Sequence, residues 1–548
     1  MRLLRKLLTT RVNMMFEHKN YVVILTGETG SGKSSQIPQY VVDKLLVNNP
    51  ECKLQIAYTQ PDRIAATSVT QQNPVLDRVF ISANPRNIEV FKAISNHDVY
   101  RAQITEIVWD DALLASTGPE HDPSAAVIGA FNDCDDERKP CPEWYDDACE
   151  GNNIDLGYFL VYLYHKSGDP VEQQIAAQIS LEESWTYYQG LLRQQQEVLD
   201  SRAHVRALES GIGRFPTLRK ITVAATIHGR IFVPIYETPM IRAFPRGFNY
   251  PIPNWPRTTF GQVECPDWDE NDKRWEGLRV VVHLLAQNFD SGKVTELHVD
   301  SFQLRTGLNS RLFEKPCPTL ANLEVVLGRA NFESLHLDLM VNGDDSQADV
   351  FGRGLLKRAI DGAAGGQGLK RLALGTNNEN TEAYFDTWCV PFKIIYEPSS
   401  LQHLEHFSLS RFPVIESDLL ALLATLPYSI RTIELRFLDI LEGNHRSLLY
   451  QIRDTLGWQS RNPKPRLSLC FEPSLDCPEL ALWLENEVYT FLYEGGAHPF
   501  SDNPDVIEAL GLEDIGVIKD VLNPGFQRSN LDRRGLVEIG YLEAGDRV

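Results

Sequence analysis

A recurring phrase of apolar residues, apolar-x-x-apolar-x-apolar, most constrains what this 548-residue chain can fold into. It predicts half-buried strands, because alternate residues of a strand face opposite sides of a sheet. The last two phrases start at Leu404 and Ile430, and this spacing of 26 residues lies in the roughly 20–29-residue range of short stacked repeats. The phrases are Leu218-Ile221-Val223, Val294-Leu297-Val299, Leu320-Leu323-Val325, Phe332-Leu335-Leu337, Leu369-Leu372-Leu374, Leu404-Phe407-Leu409 and Ile430-Ile433-Leu435.

A helix is predicted between the last two phrases. Ser417 can cap it and Pro427 ends it after Leu426. Strand, helix and strand together form one unit of an α/β solenoid, which is irregular because the first two phrases are 76 residues apart. An α/β domain whose strands share a common pattern is the alternative. The predicted buried helix positions are Leu419, Leu420, Leu422, Leu423 and Leu426.

A phosphate-binding loop follows the apolar strand Tyr21–Leu25. Its pattern is G-x-x-x-x-G-K-[ST], in which successive backbone N–H groups point at phosphate oxygens. Lys33 would neutralise the β- and γ-phosphates, and the Ser34 hydroxyl would ligate Mg²⁺. A second strand, Leu54–Thr59, completes a partial RecA-like strand-loop-helix-strand segment. The predicted nucleotide-binding residues are Gly27, Glu28, Thr29, Gly30, Ser31, Gly32, Lys33 and Ser34.

The strings GETGSGKSSQIPQY and IAYTQPDRIAATSV resemble the first two motifs of DEAH-box RNA helicases over residues 17–72. The resemblance implies that the loop binds ATP with Mg²⁺ and that Thr59, Gln60 and Arg63 face a nucleic-acid strand. The family has Arg-Arg after Gln-Pro, whereas this chain has Asp62 followed by Arg63. A carboxylate facing phosphates is repulsive, so Asp62 argues against RNA contact.

The later helicase motifs are not found, so we predict no catalytic residue. Asp-Glu occurs only at positions 136–137 and 269–270, without the His of Asp-Glu-Ala-His, and the arginine motif is absent. The best strand-plus-acid substitute is Ile107–Asp111, whose acidic end we interpret as a solvated turn. The sequence therefore favours a binding protein without unwinding activity. An ATP-dependent RNA helicase or ATPase is the alternative.

From Arg78 onward the chain resembles filamentous-fungal F-box/leucine-rich-repeat-like proteins. The phrases that carry this are RVFISANPRNIEVFKAISNHDVYRAQITEIVWDD, ESGIGRFPTLRKITV and LEHFSLSRFPVIESDLLALLATLPYSIRTIEL. The resemblance implies a protein partner bound by the repeat domain, and, through an F-box, a ubiquitin ligase scaffold. The helicase-like segment stands where the F-box would be, which argues against that scaffold. A degenerate F-box adaptor is the second alternative, and a fused or mispredicted gene would account for both halves.

Four regions are predicted. Residues 1–72 form the helicase-like segment, with a net charge of +4 against −25 for the remainder. Residues 75–210 are mostly helical, with an acidic loop over 133–150 and one helix over 181–210 that is weakest at Gly190. Residues 211–475 are leucine-rich-repeat-like, and residues 476–548 form a C-terminal extension.

The cysteines indicate an intracellular protein. There are nine, thinly spread, with no Cys-x-x-Cys pair and no His cluster that completes a zinc site. Reduced thiols of this kind are typical of the nucleus or cytoplasm. The longest apolar runs, such as Tyr158–Tyr164, are too short to span a bilayer, so no membrane association is expected.

Overall fold

The computed structural model describes residues 24–25, 57–58, 76–116, 140–163, 170–253, 265–287, 293–341, 350–363, 368–378, 395, 401–473, 479–500, 515–523 and 526–529. The strands are β1 (Ile24–Leu25), β2 (Ala57–Tyr58), β3 (Arg78–Ser82), β4 (Glu106–Asp110), β5 (Lys220–Ala224), β6 (Glu296–Val299), β7 (Leu308–Asn309), β8 (Ser334–Met340), β9 (Arg371–Thr376), β10 (His406–Ser410), β11 (Pro413–Ile415), β12 (Thr432–Arg436), β13 (Asp439–Glu442), β14 (Arg466–Phe471), β15 (Leu480–Leu484), β16 (Val517–Asp520) and β17 (Gln527–Ser529). The helices are α1 (Pro85–Ser95), α2 (Asp98–Arg101), α3 (Glu143–Leu163), α4 (Pro170–Ile175), α5 (Leu181–Ser201), α6 (Ala203–Gly211), α7 (Pro239–Arg242), α8 (Glu276–Gln287), α9 (Pro318–Leu327), α10 (Leu355–Ala363), α11 (Glu416–Thr425), α12 (His445–Thr455) and α13 (Asn486–Tyr493).

One large, mostly parallel sheet organises the chain, which confirms the α/β class. Strands β3, β4, β5, β6, β8, β9, β10, β12 and β14 lie side by side in chain order, and all neighbours among them are parallel. Strands β15, β16 and β17 continue the sheet antiparallel. The short β7 pairs with the end of β8, while β1–β2 and β11–β13 form two-stranded parallel sheets of their own.

Six of the seven apolar phrases end in strands of this sheet, as predicted. The phrase that starts at Leu320 is the exception, because it lies in helix α9. Pro318 occupies the first turn of α9, where its missing N–H costs nothing. Leu320 and Leu323 are buried and Val325 is 54% exposed, as expected when residues three apart share a helical face. The first two apolar residues of this pattern are three apart, and the same spacing places two residues on one face of a helix, so the pattern alone does not distinguish strand from helix.

The phrases align across the sheet as two unbroken rows of buried side chains. Within each row the residues are direct register partners on neighbouring strands. One row is Ile107, Ile221, Leu297, Leu335, Leu372, Phe407, Ile433 and Leu467; the other is Trp109, Val223, Val299, Leu337, Leu374, Leu409, Leu435 and Leu469. Both rows belong to the same hydrophobic cluster as the buried residues of α8 to α13, so this first face of the sheet is covered by helices.

Helix α11 confirms the predicted helix but not its cap. Ser417 is exposed, and the helix begins at Glu416 after Ile415, which makes no side-chain capping bond. Glu416 is buried instead, and its carboxylate accepts hydrogen bonds from Asn444 N at 2.9 Å and Gln451 Nε2 at 2.5 Å. A tertiary contact to α12 therefore fixes this helix start, which a local capping rule cannot foresee.

The long helix predicted over 181–210 is broken at Arg202 and continuous at Gly190. Arg202 has a left-handed backbone with φ of 49°, and its N–H closes α5 on Val198 and Leu199. The predicted core residues of this segment are confirmed, since they are buried or packed against the core. These are Trp185, Tyr188, Leu191, Leu192, Val198 and Leu199.

The acidic segment 133–150 is helical in part, because α3 begins at Glu143. The region 75–210 contributes β3 and β4 to the large sheet, and 476–548 contributes its antiparallel edge. The boundaries of the four regions stay predictions. Within the ranges given above, no helix is long and apolar enough to cross a membrane.

Candidate functional site

The second face of the sheet changes character along its length. At the β3 end it is apolar, with Phe80 and Val108 packed against Tyr236 and Phe302. At the β14 end Phe437, Cys470 and Ala481 pack beside Trp483. Between these ends most side chains are polar, and the half-buried polar ones carry both signs of charge. We call these residues the central polar face: Glu296, His298, His336, Arg371, His406, Thr432, Glu434 and Arg436.

Two histidines and two aspartates form the centre of this face. His298 on β6 and His336 on β8 are direct register partners, and their ring centroids are 5.6 Å apart. His336 Nδ1 lies 3.7 Å from Asp300 Oδ2, and His336 Nε2 lies 3.1 Å from Asp338 Oδ1. Strand alternation explains the cluster, because each aspartate follows its histidine by two positions.

Asp338 is held in place by the turn that follows β6. Its Oδ2 accepts hydrogen bonds from Ser301 N at 2.8 Å and Ser301 Oγ at 2.6 Å. Gly375 on β9 leaves room for it, because a Cβ at that position would lie 2.2 Å from Asp338 Oδ1. The Asp338 carboxylate therefore has a fixed position beside the Nε2 atom of His336.

The two histidines differ in their electrostatics. Burial opposes charge on His336, but Asp300 and Asp338 outweigh it and raise its pKa to about 9. Burial and the nearby Lys220 and His336 lower the pKa of His298 well below its usual range. Burial also opposes the charge on Asp338, yet His336 and Ser301 lower its pKa. The neighbouring carboxylates thus favour the charged form of His336, whereas burial favours the neutral form of His298.

A row of ion pairs crosses the strands at their amino ends. Glu106 lies between Arg78 and Lys220, at 2.6 Å and 3.2 Å. Glu296 pairs with Arg371 at 2.9 Å. The register order across the strands is Arg78, Glu106, Lys220, Glu296, Ser334 and Arg371, so the charged members of the row alternate in sign and keep the edge of the face polar.

A second charged cluster lies at the carboxyl ends of the later strands. The Glu472 carboxylate contacts the buried Arg411 guanidinium and lies 3.1 Å from Arg305 Nη2. The Arg411 guanidinium also lies 4.5 Å from the centre of the Phe437 ring. Three elements that are far apart in the chain therefore meet at one carboxylate.

The acidic end of β4 is buried, so its interpretation as a solvated turn is wrong. Asp110 and Asp111 are only 3% and 7% exposed. Asp111 Oδ1 accepts from Trp109 Nε1 and from Gly277 N, both at 3.0 Å. Burial raises the pKa of Asp110 to about 7 and that of Asp111 to about 8. Helix α8 begins against this strand end, which the local sequence does not indicate.

The predicted nucleotide site lies outside the described residues, as do Thr59, Gln60 and Arg63. Of the segment 1–72, the structure describes β1 and β2, which pair in parallel with Ile24 opposite Ala57. These strands lie within the two strands predicted on either side of the phosphate-binding loop. The loop residues Gly27–Ser34 stay predictions.

The histidine cluster was not predicted from the sequence, because its ligands lie on two strands and not close together in the chain. The signal was present as a repeated phrase, Leu-His-Val-Asp at 297–300 and Leu-His-Leu-Asp at 335–338. The two phrases are 38 residues apart, so only the pairing of β6 with β8 brings them together.

Comparison with known proteins gives short local similarities. The chain matches no protein-family model. A segment of 54 residues, 10% of the chain, is 48% identical to the Drosophila willistoni protein named "Probable ATP-dependent RNA helicase spindle-E", and covers 4% of it. A segment of 68 residues, 12% of the chain, is 43% identical to the human ATP-dependent RNA helicase DHX29, and covers 5% of it. The chain thus spans about a twentieth of the length of these relatives. About a tenth of the chain resembles DEAH-box RNA helicases, as predicted.

Proposed function

We propose that this chain is a protein-binding scaffold with an attached nucleotide-binding segment. In this proposal β3 to β14 and their helices form an irregular leucine-rich-repeat-like solenoid, and the central polar face takes a protein partner. The observation that carries it is the order of the strands. Nine parallel strands follow one another in chain order, which is how stacked repeats build a sheet.

Two neighbouring units support the repeat interpretation. In one, β10 is followed by Arg411, β11 and α11; in the next, β12 is followed by Phe437, β13 and α12. Arg411 and Phe437 both have a left-handed backbone, with φ of 57° and 51°, and they are 26 residues apart. The same turn at the same place in both units lets β11 and β13 pair beside the sheet.

The central polar face is the surface that best fits a partner. Its side chains are half-buried, so they are already partly ordered by their neighbours and lose little freedom on binding. They include both acidic and basic groups, which favours specific pairing over nonspecific attraction. The strongly negative net charge of residues 73–548 is therefore not representative of this surface, which carries both signs of charge.

For the first seventy-two residues we propose ATP binding at Gly27–Ser34, with Ser34 on Mg²⁺. The short similarity to ATP-dependent RNA helicases supports nucleotide binding. The same similarity favours a second candidate, an ATP-dependent RNA helicase or ATPase. Asp62 and the missing acidic and arginine motifs argue against that candidate, since phosphoryl transfer needs groups that position water and stabilise charge.

Site-specific photo-crosslinking tests the protein-binding proposal. A benzoylphenylalanine would replace Ala373, which is half-buried on β9 between His336 and Ser408. The control replaces Ala421, which is exposed on α11. We expect a crosslinked partner protein from position 373 and not from position 421. Equal crosslinking from both positions, or none from 373, would contradict the proposed surface.

Titration with a fluorescent ATP analogue tests the nucleotide proposal. Lys33→Ala should abolish binding, because the loop would lose its phosphate-neutralising charge. Lys44→Ala, eleven residues further on, keeps the same net charge as the test variant and should bind like the wild type. Equal binding by all three proteins would remove the phosphate-loop assignment.

A further inference from the structure

The repeated His-apolar-Asp phrase becomes one compact cluster in the fold. Strands β6 and β8 are parallel, and their register places His298 directly beside His336. Asp300 follows His298 by two positions and therefore lies on the same face. One ligand atom from each of these three residues lies within 4.8 Å of the others.

We propose that His298, Asp300 and His336 bind a divalent transition-metal ion of the zinc class. Two imidazole nitrogens and one carboxylate oxygen form a donor set that Zn²⁺ takes when its fourth position stays open. Ligand atoms around a tetrahedral zinc are about 3.4 Å apart. Closing the present separations to that value requires small side-chain rotations on strands that the sheet already holds in place.

The surroundings of His336 support the assignment. A histidine that binds a metal commonly donates its other ring N–H to a carboxylate, which fixes the ring and raises its basicity. Here Asp338 Oδ1 lies 3.1 Å from His336 Nε2, so Nδ1 is the atom directed to Asp300. Ser301 holds Asp338 through two hydrogen bonds. Asp338 therefore already provides the carboxylate partner that a metal-binding histidine commonly has on its second ring nitrogen.

The cluster can be reached from outside. The side chains of His298 and His336 are 17% exposed, and that of Asp300 is 19% exposed. An external ligand could thus reach the open coordination position from the solvent side of the central polar face. A water molecule, or a carboxylate or imidazole of another molecule, fits there chemically. The competing occupant is a proton on His336, which would pair with both carboxylates without any metal.

Cobalt titration of the metal-stripped full-length chain distinguishes metal from proton. We expect one Co²⁺ per chain, with the visible absorption of tetrahedral Co²⁺, and displacement by Zn²⁺. His298→Ala and Asp300→Asn should each weaken binding at least tenfold, and Asp338→Asn by about 10–100-fold. His406→Ala is the matched control, because it removes a histidine of the same face, and it should bind like the wild type.

Two results would overturn the proposal. One is the absence of tetrahedral Co²⁺ absorption, which would leave the proton as the occupant. The other is wild-type affinity in His298→Ala. His336→Ala could unfold the chain, because it leaves Asp338 buried without its partner. His298→Ala is the safer variant, since the His298 ring shares a neutral hydrogen bond with the Ser334 hydroxyl at 3.2 Å and does not pair with a buried carboxylate as His336 does. Its folding can be checked by circular dichroism.

Discussion

Replacing Asp111 by Asn should stabilise the folded protein at alkaline pH. The Asp111 side chain is buried at the end of β4, and its Oδ1 accepts from Trp109 Nε1 and Gly277 N. Gly277 allows this close approach, since a Cβ there would lie 2.4 Å from the Trp109 ring. Asparagine keeps the acceptor oxygen, and its amide has the shape of the protonated acid. Only the charge is removed.

The size of the effect follows from the pKa of Asp111. Burial raises this pKa to about 8, against 3.8 for an ordinary Asp. Between these values the unfolded chain has released the proton while the folded chain still holds it. The free energy of unfolding therefore falls as pH rises, by at most about 1.4 kcal/mol per pH unit. Over the whole window this amounts to roughly 6 kcal/mol as an upper bound, and the effect is absent below the unfolded pKa.

Urea unfolding followed by circular dichroism at pH 5, 6.5 and 8 measures the difference. The stability gain of Asp111→Asn over the wild type should grow from about 1.6 kcal/mol at pH 5 to roughly 5 kcal/mol at pH 8. Asp98→Asn is the control, because the Asp98 side chain is 85% exposed, and it should show no such growth. A difference between Asp111→Asn and the wild type that does not change with pH would refute the reasoning.

Three further outcomes are expected. Residues 75–548 alone should melt as cooperatively as the full chain, because β1 and β2 form a sheet separate from the large one; loss of cooperativity would make the first segment part of the core. The full chain should show no RNA-stimulated phosphate release, and release that disappears in Lys33→Ala would reveal a missed catalytic acid. Glu472→Gln should destabilise the fold by about 3–5 kcal/mol in urea, because it leaves the buried Arg411 without its carboxylate; a loss below about 1 kcal/mol would contradict this.

The sequence predicted the strands well because their pattern is local. Six apolar phrases lie in neighbouring strands. When one face of a sheet is covered by helices, only one register places the apolar residues of an alternating strand on that face. The predictions from sequence were wrong where tertiary contacts determine a helix start or the burial of a side chain. Glu416 starts α11 through bonds to the next unit, and Asp111 is buried by a helix that begins 165 residues later.

The candidate metal cluster could have been found only in part from the sequence. The phrase His-apolar-Asp places two ligands on one strand face by alternation alone. Its repetition 38 residues later becomes meaningful only if the two strands are neighbours, and that depends on the order of strands in the sheet. The phosphate-binding loop is the opposite case, because all of its chemistry lies in eight consecutive residues.

The composition of the second face fits the proposal that its centre binds a ligand or partner. On the first face each of the nine parallel strands already buries two apolar residues against helices, which supplies hydrophobic stabilisation to each unit. At the β3 end of the second face, Phe80 and Val108 are apolar where Tyr236 covers them. In the centre the equivalent positions are His298 and His336. A sheet position facing water needs only a polar residue, whereas two histidines in register, each followed two positions later by an aspartate, meet the narrower requirements of the proposed metal site.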